Sequence, residues 1–276
     1  MNTVKNREIQ LLELNLLKKV IEICEKYNLI YYIIGGSLIG VLRHKGFIPW
    51  DDDIDIGMPR KDYEIFLQVC NKEFSAEYGI LNQEYDPTWN FNFVQVIDFR
   101  TKIEIHMTEI PRTCNLWVDL FPIDGLPSNK IKREIHFKHI LYYRYLIQMA
   151  NIKTQVDTHK VGRPLYEKII LYFLKILNLK GIIDVEKSLK KMNKLLKKYD
   201  FDTSEYAGNL LGKYREKEIV PKDYFGQPTQ LPFEDILVNV PAKYHELQIN
   251  LYGNYMQMPS EEYRVSHDIV FITRRD

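Results

Sequence analysis

The sequence predicts an α+β protein in which a core of strands and helices carries a helical insertion. Two observations lead to this class. In residues 7–127, short β-rich runs are interspersed with segments whose apolar residues recur at helical spacing. In residues 128–200, long basic segments rich in Leu, Ile and Tyr keep the helical period. Because no linker or internal repeat divides the chain, we expect one unit: a core of residues 1–127, a helical subdomain of residues 128–200, and a segment of residues 201–276 that completes the core.

The first elements are predicted in the order helix, strand, glycine turn, helix. Leu12, Leu16, Val20 and Cys24 give residues 7–27 a helical apolar stripe, and residues 29–34 form a β-rich run. A glycine turn at residues 35–36 then leads into a second helix over residues 37–43. A strand followed by a glycine turn and a helix aims backbone N–H groups at one point, which is an arrangement suited to binding a phosphate.

The following segments alternate between predicted strands and helices. Residues 50–58 are predicted as a strand that Pro59 ends, and residues 60–74 as a helix. Residues 91–107 give one or two strands, and residues 116–121 another, which Pro122 stops before a turn at Asp124-Gly125. The helical pattern of residues 130–200 breaks near residues 151–164 and at residue 181, and the chain from residue 201 returns to loops and short elements.

Composition indicates an ordinary soluble globular protein. The chain has 276 residues, 45% of them hydrophobic and 27% charged, and its formal net charge of +1 gives no reason to expect nucleic acid or an anionic membrane as a partner. Three widely spaced cysteines, with no CxxC pair, argue against a disulfide framework or structural zinc. The chain lacks a signal-peptide pattern and any apolar run of about 18–20 residues. We therefore expect a cytoplasmic protein.

Aspartates form the most informative pattern of the sequence. In Asp53-Ile54-Asp55-Ile56 the alternation predicts a strand with both carboxylates on one face, and like charges placed so are unfavourable without a cation between them. Asp119, flanked by apolar residues on a later predicted strand, is a third candidate ligand. Such carboxylates suit Mg²⁺, and two ions about 3.5–4 Å apart can clamp the oxygens of an in-line phosphoryl transfer. The alternative is a solvated acidic turn, which would not need the alternation with isoleucine.

Two further aspartates precede this pattern. By strand parity Asp51 lies on the same face as Asp53, so it is a candidate supporting residue. The same parity places Asp52 on the opposite face, where we expect it to be exposed or to cap the turn. The residue types alone do not distinguish a catalytic Asp51 from a structural one.

Several residues around the aspartates are candidates for binding substrate. Gly35 and Gly36 allow backbone to approach a phosphate and Ser37 can donate to a phosphoryl oxygen, although such glycines often serve turn geometry only. Other candidates are cationic or aromatic, and each has a plain structural alternative as a solvated or packed side chain. They are Arg43, Lys45 and Arg60 for bidentate or point contacts to phosphate, His44 and His267 as phosphate ligands or proton carriers, and Trp50 for stacking or for enclosing a cation.

These residues together resemble one known family. Gly35-Gly36-Ser37, followed by Arg43-His44-Lys45-Gly46-Phe47-Ile48-Pro49-Trp50-Asp51-Asp52-Asp53-Ile54-Asp55-Ile56-Gly57, resembles the LicD family, which includes bacterial phosphocholine transferases and is related to the fukutin proteins. Trp117-Val118-Asp119-Leu120-Phe121-Pro122-Ile123-Asp124 is similar to the second acidic motif of that family. The C-terminal part, with Phe233-Glu234-Asp235 and Tyr252-Gly253-Asn254-Tyr255-Met256, is also similar, whereas the helical middle carries no such motif.

The resemblance implies a nucleotidyltransferase-like fold, with a mixed sheet flanked by helices, and a reaction. Asp53, Asp55 and Asp119 would hold two Mg²⁺ ions, with Mn²⁺ as an alternative, and Asp51 would support them. Phosphocholine would pass from CDP-choline to a sugar hydroxyl of a teichoic acid, lipopolysaccharide or capsule precursor, with release of CMP. The acceptor could be lipid-linked, which would bring the protein to the inner face of the plasma membrane.

Other functions remain open on the sequence. Relatives transfer other phospho-alcohols, such as ribitol or glycerol phosphate, from CDP donors, and a nucleotidyltransferase would share the same metal site. A nucleotide-binding module without turnover is the non-enzymatic alternative. The basic run of residues 187–198 is either a solvated helix face or a surface for peripheral membrane association.

Overall fold

The structure is a computed structural model that describes residues 3–157, 163–177, 179–264, 266 and 269–274. Its helices are α1 Thr3–Tyr27, α2 Gly35–Ile39, α3 Arg60–Glu73, α4 Lys130–Ala150, α5 Ile152–Gln155, α6 Leu165–Leu177, α7 Val185–Leu196 and α8 Tyr244–Tyr252. Its strands are β1 Tyr32–Ile33, β2 Asp55–Pro59, β3 Tyr78–Leu81, β4 Val94–Ile105, β5 Arg112–Leu126, β6 Tyr206–Gly208, β7 Val220–Pro221, β8 Thr229–Phe233, β9 Ile236–Val240 and β10 Ile269–Arg274.

A mixed sheet forms the centre of the fold. Its order is β1-β2-β5-β4-β10, with β3 added to β4 and with β6 and β7 following from β5. The pair β2–β5 is parallel, whereas the other pairs in the sheet are antiparallel. Strands β8 and β9 form a separate hairpin. The predicted α+β class, with a mixed sheet flanked by helices, is confirmed.

The main hydrophobic core lies between the sheet, the helices α1 and α3, and the C-terminal part of the chain. Leu16 of α1 and Phe66 of α3 are fully buried against strand residues such as Ile56. Phe233 and Val238 of the β8–β9 hairpin belong to the same core. The C-terminal segment therefore packs into the same hydrophobic core as the strands and helices of the first half of the chain.

Helices α4 and α7 pack around a second, smaller core. Phe137 and Ile140 of α4 meet Leu189 and Met192 of α7, and Leu126 at the end of β5 joins them. The helical segment therefore rests on the end of a central strand. Among the described residues, no helix combines the length and the apolar composition that a membrane span requires.

Two local predictions were wrong. The strand expected over residues 50–58 begins only at Asp55, so Asp53 precedes the strand. Pro122 does not end β5, and Asp124-Gly125 is not a turn, because both residues pair with β6. β4 pairs with β5 as far as Leu120 and β6 pairs from Asp124. Pro122 lies in the gap between these two pairings, where the missing N–H costs no hydrogen bond on that side.

Candidate metal centre and active site

Asp53, Asp55 and Asp119 meet at the parallel pair of strands. Asp55 on β2 is the register partner of Asp119 on β5, and Asp53 approaches from the segment just before β2. One carboxylate oxygen from each residue lies within 4.8 Å of the other two. Three half-buried carboxylates at this separation repel one another, and a divalent cation with oxygen ligands relieves that repulsion. The donor set therefore fits a hard cation such as Mg²⁺.

The Asp119 carboxylate is held in place by two neutral donors. Gln95 on β4 donates from Nε2 to Oδ1 at 2.9 Å, and the Trp117 indole donates from Nε1 to Oδ2 at 3.1 Å. Gln95 is the register partner of Asp119 across the antiparallel pair β4–β5. Because neither donor is charged, the carboxylate is oriented while its negative charge is kept for a cation. The sequence prediction did not include Gln95.

Gly35 and Gly36, predicted as a turn before the second helix, are the first two residues of α2 and fit closely around the carboxylates. Gly35 has φ +61°, and a Cβ at this position would lie 2.5 Å from Oδ2 of Asp55. A Cβ on Gly36 would lie 3.3 Å from Oδ2 of Asp51. Any other residue at position 35 would therefore be strained in backbone and would clash with a candidate metal ligand. The Gly35 carbonyl in turn accepts a 3.0 Å hydrogen bond from the buried Gln248 of α8.

Ser37 serves the acidic segment rather than the open cavity. Its hydroxyl accepts a hydrogen bond from the Asp55 backbone N–H at 2.9 Å and donates to the Asp53 carbonyl at 3.4 Å. The side chain is buried. The expected donation to a phosphoryl oxygen is therefore not the geometry that the structure has, since the hydroxyl already links both residues that flank Ile54.

Helix α1 forms the floor beneath the aspartates. Gln10 donates from Nε2 to the carbonyls of Asp51 at 2.8 Å and Ile48 at 3.2 Å, which fixes the segment before β2. One turn later, Glu13 is completely buried, and neither carboxylate oxygen has a hydrogen-bond partner among the described residues. Burial, reinforced by the negative charge of Asp53 and the neighbouring aspartates, raises the pKa of Glu13 well above its ordinary value. Glu13 could have been noticed in the sequence, because it is an acidic residue on the apolar face of α1.

A cavity of about 840 Å³ opens over the carboxylates. The lining residues include Gly35, Gly36, Asp51, Asp53, Asp55, Phe93, Asp119, Phe121, Arg144, Asp157, Asn209, Lys213, Tyr214, Glu218 and Tyr252. Arg144 of α4 is anchored by a 2.9 Å hydrogen bond from Nη1 to the Gly212 carbonyl. The helical segment therefore contributes a cation to the same cavity as the aspartates. No sequence motif marks Arg144, which is one reason why sequence reasoning missed it.

One wall of the cavity combines two tyrosine rings and a carboxylate. The rings of Tyr214 and Tyr252 meet edge to face, with centroids 4.7 Å apart and planes at 65°. Glu218 accepts a 3.2 Å hydrogen bond from the Tyr214 backbone N–H, and burial raises the pKa of Glu218 to about 7. We refer to Tyr214, Glu218 and Tyr252 as the aromatic wall. Electron-rich ring faces beside a carboxylate are a favourable environment for an organic cation.

Asp52 differs from its prediction. The residue was expected to be exposed or to cap a turn, but it is only 1% exposed. The alternation itself extends back to Asp51, because Asp52, Ile54 and Ile56 are buried whereas Asp51, Asp53 and Asp55 are half-buried. The expectation of exposure was wrong because the face opposite Asp53 is the one that packs into the protein.

Three of the predicted phosphate-binding or stacking residues lie away from the cavity lining. Arg43 donates from Nη1 to the carbonyls of Tyr255 at 3.1 Å and Gln257 at 3.4 Å, which ties the segment after α2 to the C-terminal segment. Lys45 is exposed, and its backbone carbonyl accepts a 2.8 Å hydrogen bond from the Glu234 backbone N–H. Trp50 already has a cation over its ring, because the Arg264 guanidinium lies 5.0 Å from the ring centroid.

Arg60 also lies outside the cavity lining. Its guanidinium makes a two-pronged ion pair with Asp124, with Nε–Oδ1 and Nη2–Oδ2 distances of 2.7 Å. His44 accepts a 2.9 Å hydrogen bond from Nε of Arg43, and burial lowers its pKa. His267 lies outside the described residues.

Comparisons with known proteins identify the family of the chain. Residues 28–151 match the family model described as LicD/FKTN/FKRP, nucleotidyltransferase domain. The chain is 33% identical over 268 residues to the lipopolysaccharide cholinephosphotransferase LicD of Haemophilus influenzae, covering 95% of this chain and 96% of that protein. An uncharacterised protein of Rickettsia typhi is 44% identical over 144 residues, which cover 51% of this chain and 44% of that protein. Human ribitol 5-phosphate transferase FKRP is 34% identical over 70 residues, which cover 25% of this chain and 13% of that protein. The similarity to LicD along almost the whole length of both proteins confirms the resemblance, and the chain belongs to the LicD/FKTN/FKRP family.

Proposed function

We propose that this chain transfers phosphocholine from CDP-choline to a sugar hydroxyl of a cell-surface glycan precursor and releases CMP. The observation that carries the proposal is the set of three carboxylates, from Asp53, Asp55 and Asp119, at the base of a cavity of about 840 Å³. The similarity to a lipopolysaccharide cholinephosphotransferase over 95% of the chain supports phosphocholine as the transferred group.

The three carboxylates would hold Mg²⁺, one or two ions, with Mn²⁺ as an alternative. Bound there, the metal would neutralise the charge of the donor diphosphate and stabilise the charge that develops during transfer. The neutral hydrogen bonds from Gln95 and Trp117 keep the Asp119 carboxylate oriented for this role.

The remaining chemistry is assigned to residues that line the cavity. Amides in the first turn of α2, at Gly35 and Gly36, and the Arg144 guanidinium supply donors for phosphoryl oxygens. Asp51 lies beside Gly36 and is the candidate acceptor for the proton of the attacking sugar hydroxyl. The hydroxyl oxygen bonds to the phosphorus that carries choline, and the bond from that phosphorus to the CMP oxygen breaks. Positioning and charge neutralisation account for most of the catalysis expected in such a transfer.

The aromatic wall supports choline over an uncharged alcohol. A quaternary ammonium group cannot donate hydrogen bonds, so its recognition relies on aromatic faces and on nearby negative charge. Tyr214, Tyr252 and Glu218 supply both in the same cavity as the metal ligands. A ribitol or glycerol group would instead require several hydrogen-bonding partners.

The test is a donor panel. The full-length protein is incubated with Mg²⁺ and CDP-choline, CDP-ribitol or CDP-glycerol, in the presence of delipidated lipopolysaccharide or teichoic acid oligosaccharides. CMP release is followed by chromatography, and the acceptor is weighed by mass spectrometry. We expect CMP release from CDP-choline, together with an acceptor that is heavier by one phosphocholine.

Other products would assign other reactions. Pyrophosphate or a nucleotidylated acceptor would indicate nucleotidyl transfer, and turnover of CDP-ribitol alone would indicate ribitol phosphate transfer. Tight binding of CDP-choline without turnover of any acceptor would indicate a binding module. Each of these outcomes would contradict phosphocholine transfer.

A further inference from the structure

Helix α6 presents its apolar side chains to solvent. Its outer face consists of Ile169, Ile170, Tyr172, Phe173, Ile176 and Leu177, and these side chains are between 49% and 63% exposed. None of the helix's described residues is buried. Soluble helices normally turn such a stripe towards the core, and a contiguous exposed apolar surface marks an interaction site.

Two of the three charged side chains of α6 lie on the half-buried side of the helix, and the third, Lys168, is exposed. Glu167 and Lys175 are only partly exposed, together with Leu171 and Leu174, so this stripe faces the protein. Lys175 forms an ion pair with Glu109, which lies in the connection between β4 and β5. An ion pair from Lys175 thus helps to attach the helix to the protein, whereas most of the side chains on its outer face are apolar.

The surrounding charge indicates which partner covers the outer face. Residues 163–198 contain ten Lys and Arg against three Asp and Glu, although the whole chain has a net charge of only +1. Lysines Lys187, Lys190, Lys191, Lys194, Lys197 and Lys198 of α7 and the residues that follow it are exposed. A second copy packed symmetrically on this region would bring like charges together. An anionic lipid surface instead matches an apolar helix followed by a basic one.

Helix α6 begins close to the cavity that holds the aspartates. Asp157 lines the cavity, and its backbone carbonyl accepts a hydrogen bond from the Arg163 guanidinium, two residues before α6 begins. The apolar helix thus starts near the rim of the cavity. A bilayer in contact with the outer face of α6 would lie close to the cavity mouth.

We propose that the outer face of α6 binds the surface of an anionic bilayer, and that this contact brings the cavity to a lipid-linked glycan acceptor. The helix has 13 residues and lies along the surface rather than across the membrane. The binding claim stands on the exposed residues alone, whereas the claim about the acceptor rests on the proposed function.

Binding is tested without substrates or metal. The full-length protein is mixed with vesicles of phosphatidylcholine alone or with phosphatidylglycerol, and the bound fraction is measured by co-sedimentation. We expect binding to the anionic vesicles that weakens with salt and that falls at least about tenfold in the variant Ile169→Gln/Phe173→Gln/Ile176→Gln. The matched control Leu237→Gln/Ile249→Gln/Ile272→Gln changes three exposed apolar residues outside residues 128–200 and should bind like the parent.

A second variant tests the contribution of charge. Lys187→Gln/Lys191→Gln/Lys194→Gln should weaken binding to anionic vesicles by about fivefold per lysine and reduce its dependence on salt. Circular dichroism and thermal unfolding should be unchanged in both triple variants, since every altered side chain is exposed.

Three outcomes would overturn the proposal. They are no binding of the parent to anionic vesicles, unchanged binding of the α6 variant, or a parent oligomer that the α6 variant dissociates, which would identify the outer face as a protein contact. CMP release with a delipidated acceptor should be equal in parent and α6 variant, so failure of the proposed transferase function would be seen separately in that assay.

Discussion

The Ser37 hydroxyl accepts a 2.9 Å hydrogen bond from the backbone N–H of Asp55. Through this bond the turn at the start of α2 is attached to the strand that carries a candidate metal ligand. The same hydroxyl donates to the Asp53 carbonyl at 3.4 Å, so a single side chain links both flanking aspartates. Ser37 is therefore a positioning residue for the carboxylates, and its effect on transfer should pass through the metal.

Replacement of Ser37 by alanine should weaken metal binding. The change leaves the Asp55 N–H without its hydroxyl partner, which costs about 1–3 kcal/mol of unfolding free energy for a buried donor. We expect Mg²⁺ affinity to fall about 10- to 100-fold, as when a group that orients a ligand is lost. Titration calorimetry and urea unfolding measure the two effects, with exposed Ser128→Ala as the control. A loss of turnover with unchanged metal affinity and stability would instead assign Ser37 a direct contact with phosphate.

Asp53→Asn, Asp55→Asn and Asp119→Asn should each reduce CMP release by about 10²- to 10³-fold or more, because each removes an anionic ligand of the metal that would neutralise the reacting phosphoryl group. The amide has nearly the same shape, and Asp53→Asn and Asp55→Asn each remove one of three mutually repelling carboxylates, so the metal-free fold should be kept. Asp119→Asn should cost about 1–3 kcal/mol of unfolding free energy, because its NH2 group would face the N–H of Gln95 or Trp117. Turnover, Mg²⁺ affinity and circular dichroism are compared with those of Asp202→Asn, which alters an exposed aspartate. Parent-like turnover in the three variants would remove the assignment of the metal centre.

Arg60 should contribute to stability rather than to substrate binding. Asp124 is fully buried, so Arg60→Met would leave its carboxylate without its ion-pair partner, at a cost of about 3–5 kcal/mol. The double variant Arg60→Met/Asp124→Leu should recover most of that loss, because both charges are then absent. Urea unfolding tests this pattern. If Arg60→Met raised the KM for CDP-choline while leaving stability unchanged, the phosphate-binding role expected from the sequence would be restored.

Glu13 should make the metal-free protein less stable as pH rises. Its pKa is raised, mainly by burial and further by the neighbouring aspartates, so the folded state keeps a proton that the unfolded chain releases above about pH 4.5. The stabilisation is complete below that pH and is lost towards the raised pKa, with a slope of about 1.4 kcal/mol per pH unit. Glu13→Gln should lack this slope. The free energy of unfolding of Glu13→Gln, relative to that of the parent, should therefore increase from pH 5 to pH 8.

The comparison for Glu13 uses urea unfolding at several pH values. Glu25→Gln alters an exposed residue of the same helix and should follow the parent. Mg²⁺ should narrow the difference between Glu13→Gln and the parent, because a cation at the aspartates offsets the negative field on Glu13. Equal pH dependence in Glu13→Gln and the parent would show that Glu13 is not the buried proton carrier.

Local sequence predicted the parts of the site that are encoded locally. Asp53 and Asp55 were recognisable from their alternation with isoleucine, and Asp119 from its isolation within an apolar strand. Gly35 and Gly36 were recognisable as special positions, but they begin α2 instead of forming a turn before it, and the close approach of the Asp55 carboxylate is what requires glycine at position 35.

The parts that the sequence did not predict depend on contacts between distant residues. Arg60 forms an ion pair with Asp124, and Arg43 donates hydrogen bonds to backbone carbonyls of residues 255–257. Neither guanidinium therefore lies in the cavity, although both residues are close in sequence to the aspartates. Arg144 reaches the cavity only because α4 packs beside it. Nothing within a window of neighbouring residues encodes such pairings.

Glu218 should make the recognition of CDP-choline depend on pH. Burial raises the pKa of Glu218 to about 7, so the carboxyl is neutral below that pH and negative above it. The charged form attracts the quaternary ammonium group, and KM for CDP-choline should therefore fall as pH rises from 6 to 8. A decrease of about tenfold corresponds to ~1.4 kcal/mol, a modest part of the attraction between two unit charges ~4 Å apart near a protein surface.

Two comparisons isolate this effect of Glu218. Glu218→Gln should show a KM for CDP-choline that does not change across this pH range and that stays near the low-pH value of the parent. Glu216→Gln, which alters an exposed neighbour, should keep the parent profile. With CDP-glycerol, whose alcohol carries no charge, KM should not follow the Glu218 titration in any variant. The same pH dependence with CDP-glycerol, or its survival in Glu218→Gln, would place the titrating group elsewhere and would remove the aromatic wall as the choline site.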